Sequence, residues 1–158
     1  MTVIIISGTP GTGKTELAKE LAKQLKYKYI DINKVVDKNK LIESYDEEKD
    51  TNVVNEKKLV KALVKIIKEK KDLVIDSHLS HYIPSKHVDL CIITKCNLKT
   101  LKKRLEKKGY KSKKVRENLD AEIFDICLNE AMELKHKLLI MDTSKQNSKT
   151  LAKKIIYF

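Results

Sequence analysis

Eight residues near the start of the chain limit what it can fold into: Gly8-Thr9-Pro10-Gly11-Thr12-Gly13-Lys14-Thr15 satisfies the phosphate-loop pattern G-x-x-x-x-G-K-[ST] at every fixed position. Val3-Ile4-Ile5-Ile6 comes just before it, an apolar β-branched run that reads as a buried strand. Glu16 to Ala22 follows and reads as a helix. Gly8, Gly11 and Gly13 lack Cβ atoms and tolerate positive φ, so successive backbone N–H groups can turn inward at a helix start and make an anion site. In such a nest Gly11, Thr12, Gly13, Lys14, Thr15 and Glu16 are the expected nucleotide contacts, with Lys14 reaching the β and γ phosphates as a point charge. The Thr15 hydroxyl is placed to ligate Mg²⁺.

The rest of the chain alternates strands with helices. Residues 26–32 alternate polar and apolar and predict a second strand. Leu59, Leu63, Ile66 and Ile67 recur at helical spacing and predict a crossover helix over about 55–71. Leu73-Val74-Ile75-Asp76 predicts a buried strand ending in a carboxylate. Ligands of open α/β sheets sit at the carboxyl ends of strands, so Asp76 is expected to face the nest and hold Mg²⁺ with Thr15. Residues 88–93 predict a fourth strand, 98–107 a helix, Val115 to Leu134 one long helix, and 138–141 a fifth strand. A short helix around Leu151 and Ile155 closes the chain. The expected fold is α/β with three layers, a five-stranded parallel sheet carrying helices on both faces, in a single domain over 1–158.

Charge is distributed unevenly. The formal charge of +12 comes almost wholly from lysine, since Arg104 and Arg116 are the only arginines. Residues 31–56 hold eight carboxylates against four lysines, which predicts a small acidic lobe. Residues 102–116 hold nine cations against Glu106 alone, with Gly109-Tyr110 interrupting the run as a turn. A lysine-rich solvated surface and a basic surface that meets RNA both account for the overall excess. Cys91, Cys96 and Cys127 fit neither a paired disulfide framework nor a C-x-x-C metal site, and are expected to be free thiols. No signal peptide is recognisable and no apolar run approaches the roughly 18 residues of a membrane span, so the expectation is a soluble cytoplasmic protein without membrane contact.

The phosphate loop specifies a nucleotide without specifying a reaction. Asp76-Ser77-His78-Leu79 lacks the glycine of D-x-x-G, and Asn33-Lys34-Val35-Val36-Asp37 is one residue too long for N-K-x-D, so GTPase readings fail. Together with Tyr45-Asp46-Glu47-Glu48, the Asp76-x-His78 pair, Arg104-Leu105-Glu106, Gly109-Tyr110, Glu122-Ile123-Phe124 and Glu130-Ala131, the loop resembles the adenylate kinase isoenzyme 6 family. The resemblance implies a P-loop kinase fold with an acceptor-binding insert at about 31–54 and a lid at about 107–117. It also implies ATP and AMP as substrates, ATPase activity, and a role in small ribosomal subunit maturation through a small-subunit ribosomal protein. Two departures stand out: Lys108 occupies the place before the lid glycine where the family commonly has arginine, and the acceptor insert contains no arginine.

Transfer to a monophosphate needs positioning and charge neutralisation but no general base, because the acceptor is already an anion. The expected participants are Lys14, Thr15 and Asp76 on MgATP, with Arg104, Lys108 and Arg116 on the transferring phosphoryl. Thr143, Ser144 and Lys145 are expected to contact adenine. Hydrolysis differs in requiring an oriented water, for which His78 is the candidate base. Three functions therefore stand side by side. One is an adenylate-type kinase. Another is an assembly factor whose acidic insert suits a basic ribosomal protein and whose basic lid suits rRNA. The third is a kinase for another small acceptor or a polynucleotide end.

Overall fold

A computed structural model describes residues 2–158. Its centre is a five-stranded parallel sheet in the order β2-β5-β1-β6-β7, formed by β1 (Val3–Ser7), β2 (Lys28–Asp31), β5 (Leu73–Asp76), β6 (Leu90–Lys95) and β7 (Leu138–Asp142). All five residues of β1 are buried, as a central parallel strand covered on both faces requires. Alternate residues feed two cores. Ile4, Ile6, Val74 and Ile92 meet α1 (Lys14–Leu25) and α7 (Ser148–Ile156) through Leu17, Leu21, Leu151 and Ala152. Val3, Ile5, Leu73, Ile75, Cys91 and Ile93 face the opposite way. They pack with α2 (Ile32–Lys38), α3 (Glu56–Glu69) and α6 (Ile126–Glu133).

Local chemistry sets the helix ends. Asn55, Asn97 and Asn147 each accept a hydrogen bond from the backbone N–H three residues on, capping α3, α4 (Leu98–Lys107) and α7. Asp31 accepts from the N–H of Asn33, two residues on, at the start of α2. Between α4 and α5 (Ser112–Ile123), a third cluster of Cys96, Leu101, Leu105 and Val115 fixes the helical hairpin beside the phosphate loop. Gly11 is the contact point. A Cβ there would lie 2.9 Å from Leu105 Cδ2 and 3.0 Å from Leu101 Cδ1, and φ is +90°, so glycine answers both sterics and backbone.

Two expectations are corrected. The long helix from Val115 to Leu134 is two helices, α5 and α6, parted at Phe124-Asp125, where Asp125 sits at φ 51° and turns the chain. The acidic 31–56 stretch is not all a separate lobe. Val35, Val36 and Leu41 are buried in the main core, and only the antiparallel hairpin β3 (Ile42–Asp46) and β4 (Thr51–Val54) stands outside the sheet, almost wholly exposed. Cys91 and Cys96 are buried free thiols and Cys127 is half-buried; burial pushes the Cys91 thiol up to about 12. Among the described residues, no helix is long and apolar enough to cross a membrane.

Candidate active site

The carboxyl ends of β1 and β5 open into a cavity of about 970 Å³ at the phosphate loop. Its floor is Gly11, Gly13, Lys14 and Thr15, with Asp76, Ser77 and His78 from the end of β5. Arg104, Lys107 and Lys108 form one wall, Tyr29, Asp31 and Asn33 another, and Thr143 with Gln146, Asn147 and Ser148 a third. The loop is ordered by neutral hydroxyls. Thr12 Oγ1 donates to Thr9 O at 2.7 Å and lies 2.7 Å from Thr94 Oγ1, while Thr143 Oγ1 donates to Thr12 O at 2.7 Å. Thr9, Thr12, Thr94 and Thr143 are all buried.

Lys14 Nζ donates to Thr9 O at 3.0 Å. Its pKa is lowered to about 8, chiefly by burial, with Cys127, Asp76 and Glu122 acting in the opposite sense and Lys108 adding to the burial. Thr15 Oγ1 donates to Asp76 Oδ2 at 2.8 Å, and Tyr29 OH donates to Asp76 Oδ1 at 2.5 Å. Burial, and then this bond to Asp76, raises the Tyr29 phenol well above its ordinary range. A hydroxyl and a carboxylate side by side are hard oxygen donors suited to Mg²⁺, which takes few protein ligands and completes its shell from phosphates and water. Among the described residues there is no cluster of three or more His, Cys, Asp or Glu that could hold a metal ion.

The remaining expected residues divide. Arg104 lines the cavity and donates to Thr143 Oγ1 at 3.0 Å and Thr143 O at 2.8 Å; Lys108 lines it at the end of α4. Arg116 does not line it. It lies on the exposed side of α5, 3.2 Å from Asp120. Thr143 faces the cavity, whereas Ser144 Oγ accepts from Asn97 N–H at 2.8 Å and Lys145 is exposed; Gln146, Asn147 and Ser148 occupy the wall instead. His78 belongs to the floor, its side chain exposed to the cavity. Burial, then the Lys14 charge and His81, lowers its pKa to about 4, so at neutral pH it is an uncharged, weak base. His81, by contrast, is buried between Ser7 Oγ (2.6 Å) and Glu130 Oε2 (2.8 Å). Sequence reasoning missed Tyr29, whose place on β2, opposite β5, was the available signal: Asp31 pairs with Asp76 across the two strands, and Tyr29 lies two residues earlier on the same face.

A parallel sheet with a lysine-bearing phosphate loop, an adjacent hydroxyl–carboxylate pair and a basic helical wall defines a nucleotide-binding protein of the P-loop class. A family profile described as an AAA domain matches residues 4–125. The chain is 41% identical over 153 residues to a Methanocaldococcus jannaschii protein named "Putative adenylate kinase", covering 97% of this chain and 83% of that one. It is 32% identical over 131 residues to the adenylate kinase isoenzyme 6 homolog of Caenorhabditis elegans, covering 82% and 72%. In structure it is similar to shikimate kinase from Acinetobacter baumannii, with a TM-score of 0.69 at 16% identity over 99% of this chain and 91% of that one. The chain belongs to the adenylate kinase isoenzyme 6 family. It is a kinase-type, nucleotide-binding P-loop protein.

Proposed function

We propose that the protein transfers the γ-phosphoryl of ATP to AMP and also hydrolyses ATP slowly. The observation that carries this reading is a single cavity that joins the Lys14 nest and the Thr15–Asp76 pair to a second wall at Tyr29, Asp31 and Asn33, with room for an acceptor beside the donor phosphates. The backbone of residues 11–15 and Lys14 hold the donor phosphates. Thr15 and Asp76 hold Mg²⁺, which when bound neutralises charge developing on the phosphate oxygens. Arg104 and Lys108 face the same space and offset charge on the transferring group. Arg116 joins them only if α5 turns inward as the lid closes. Thr143, with Gln146, Asn147 and Ser148, borders the adenine side. The acceptor phosphate attacks as an anion, so no side chain need take a proton.

Hydrolysis is different: a water must be oriented and deprotonated. His78 is uncharged and available, and bound phosphates would raise its low basicity by adding negative charge nearby. A second reading is favoured by the exposed hairpin, where Glu43, Asp46, Glu47, Glu48 and Asp50 protrude from a basic molecule. Here nucleotide turnover gates the binding of a basic small-subunit ribosomal protein during rRNA maturation, the part that family membership suggests. ADP formation is measured with ATP plus AMP and with ATP alone. Stimulation by AMP with two ADP formed per ATP supports the kinase. An AMP-independent rate would reject it and leave the gated-binding reading.

A further inference from the structure

Glu122 is a carboxylate placed beneath an anion-binding loop, where an unneutralised negative charge would oppose phosphate. It lies in the last turn of α5, is 6% exposed, and both its oxygens are engaged. Oε1 accepts from Thr9 Oγ1 at 3.2 Å and from Lys95 Nζ at 2.5 Å, and Oε2 accepts from Cys96 N–H at 2.9 Å. Lys95 also donates to the Glu122 carbonyl at 3.1 Å and pairs with Asp125 at 2.5 Å, so the carboxylate is neutralised on the side away from the nest. Thr9 is the hub on the loop side. Its carbonyl accepts from Thr12 N–H, Thr12 Oγ1 and Lys14 Nζ. At the opposite end of the same helix, Lys114 Nζ donates to Asp50 O in the acidic hairpin at 2.7 Å. One helix therefore touches the hairpin at its first turn and the phosphate loop at its last.

We infer that Glu122 is a positioning residue, which fixes the phosphate loop through Thr9 and passes the position of α5 to it. This rests on the nucleotide-binding reading of the loop. A carboxylate serving only to pin α5 on β6 would need Lys95 and Cys96 but not Thr9. The Thr9 bond is what aims the chain of contacts at Lys14. The charge of Glu122 also helps Lys14 keep its proton against burial.

The test is the affinity for a non-hydrolysable ATP analogue with Mg²⁺, alongside thermal melting, for wild type, Thr9→Val, Thr9→Ser, Glu122→Gln and the Thr9→Val/Glu122→Gln double variant. Thr9→Val loses the donor at constant shape, and Thr9→Ser restores it. A hydrogen bond that acts on the nucleotide only by positioning the loop passes on part of its strength, which predicts about three- to tenfold weaker binding in Thr9→Val and in Glu122→Gln, and near wild-type binding in Thr9→Ser. The double variant is expected to be no weaker than the weaker single, because both remove one link. Wild-type affinity in Thr9→Val, or losses that multiply in the double variant, would overturn the inference. If Glu122→Gln does not fold, the Thr9→Val and Thr9→Ser pair decides alone. A wild-type protein that binds no nucleotide removes the functional reading and this inference together, whereas binding unchanged across the variants removes this inference only.

Discussion

Lys14 gives the most direct check on the site, because its two jobs, surviving burial and meeting phosphate, respond oppositely to pH. Burial holds its pKa near 8, below the ordinary 10.5. The folded protein therefore carries fewer protons than the unfolded chain between about pH 8 and 10.5, and the stability of the nucleotide-free protein rises with pH through that interval. Nucleotide affinity runs the other way. Phosphate requires the ammonium, and the terminal phosphate is already ionised above about pH 6, so only the lysine titrates on alkalinisation. At pH 7 about nine-tenths of the sites are protonated, and at pH 9 about one-tenth, which predicts about tenfold weaker binding at pH 9. The other shifted groups of this wall lie outside the window, Tyr29 raised and His78 lowered to about 4. Calorimetric titration of a non-hydrolysable ATP analogue from pH 6.5 to 9.5, beside a Lys14→Met control that is weaker and flat, measures it. An affinity constant within twofold between pH 7 and 9 would refute the argument that a buried, partly neutralised lysine holds the phosphate.

Removing the Tyr29 hydroxyl in Tyr29→Phe frees one oxygen of Asp76 and is expected to cost about three- to tenfold in turnover at limiting Mg²⁺, recovered at high Mg²⁺; a magnesium titration of the rate checks it. Arg104→Ala is expected to lower kcat at least about tenfold, while Arg116→Ala stays within about twofold of wild type, and steady-state rates with ATP and AMP compare them. His78→Ala is expected to reduce ATP hydrolysis more than AMP phosphorylation; equal losses in the two assays count against a separate role for the imidazole.

The phosphate loop, its strand and its helix were legible because their spacing is dictated by backbone sterics that no tertiary context overrides. Asp76 was legible for a related reason: a carboxylate closing a run of buried apolar residues can only emerge at a strand end. The break between α5 and α6 was not. Ile123, Ile126 and Leu134 keep helical spacing across it, and nothing in the residue type of Asp125 announces a left-handed turn. Arg116 was assigned by charge alone, and charge does not tell which side of a helix faces a cavity. Nor could Glu122 be read as a contact of the loop. Its partner Thr9 lies 113 residues away, joined only by packing. Tyr29 was within reach, since strand pairing of β2 with β5 puts it on the face of Asp76, but that pairing is itself a tertiary fact.

These contacts also bear on why a basic protein builds its anion site mostly from neutral groups. The loop is held by threonine hydroxyls at 0–7% exposure, whereas the flexible cations Lys107 and Lys108 stand at the rim, exposed. Hydroxyl-to-carbonyl bonds order the backbone without adding charge among themselves, and the buried carboxylate beneath them, Glu122, is paired with Lys95. The one lysine inside is already hydrogen-bonded, to Thr9 O, before any nucleotide arrives. The ammonium has three N–H donors and uses one on Thr9 O, so two are free to meet a phosphate, and Thr9 O has two further donors from Thr12. The loop's own hydrogen bonds therefore do not depend on the lysine giving up its partner, so what binding reorganises is local, and the charge of Lys14 inside the nest adds to the backbone N–H groups and to the cations of the wall in favouring an anion over water.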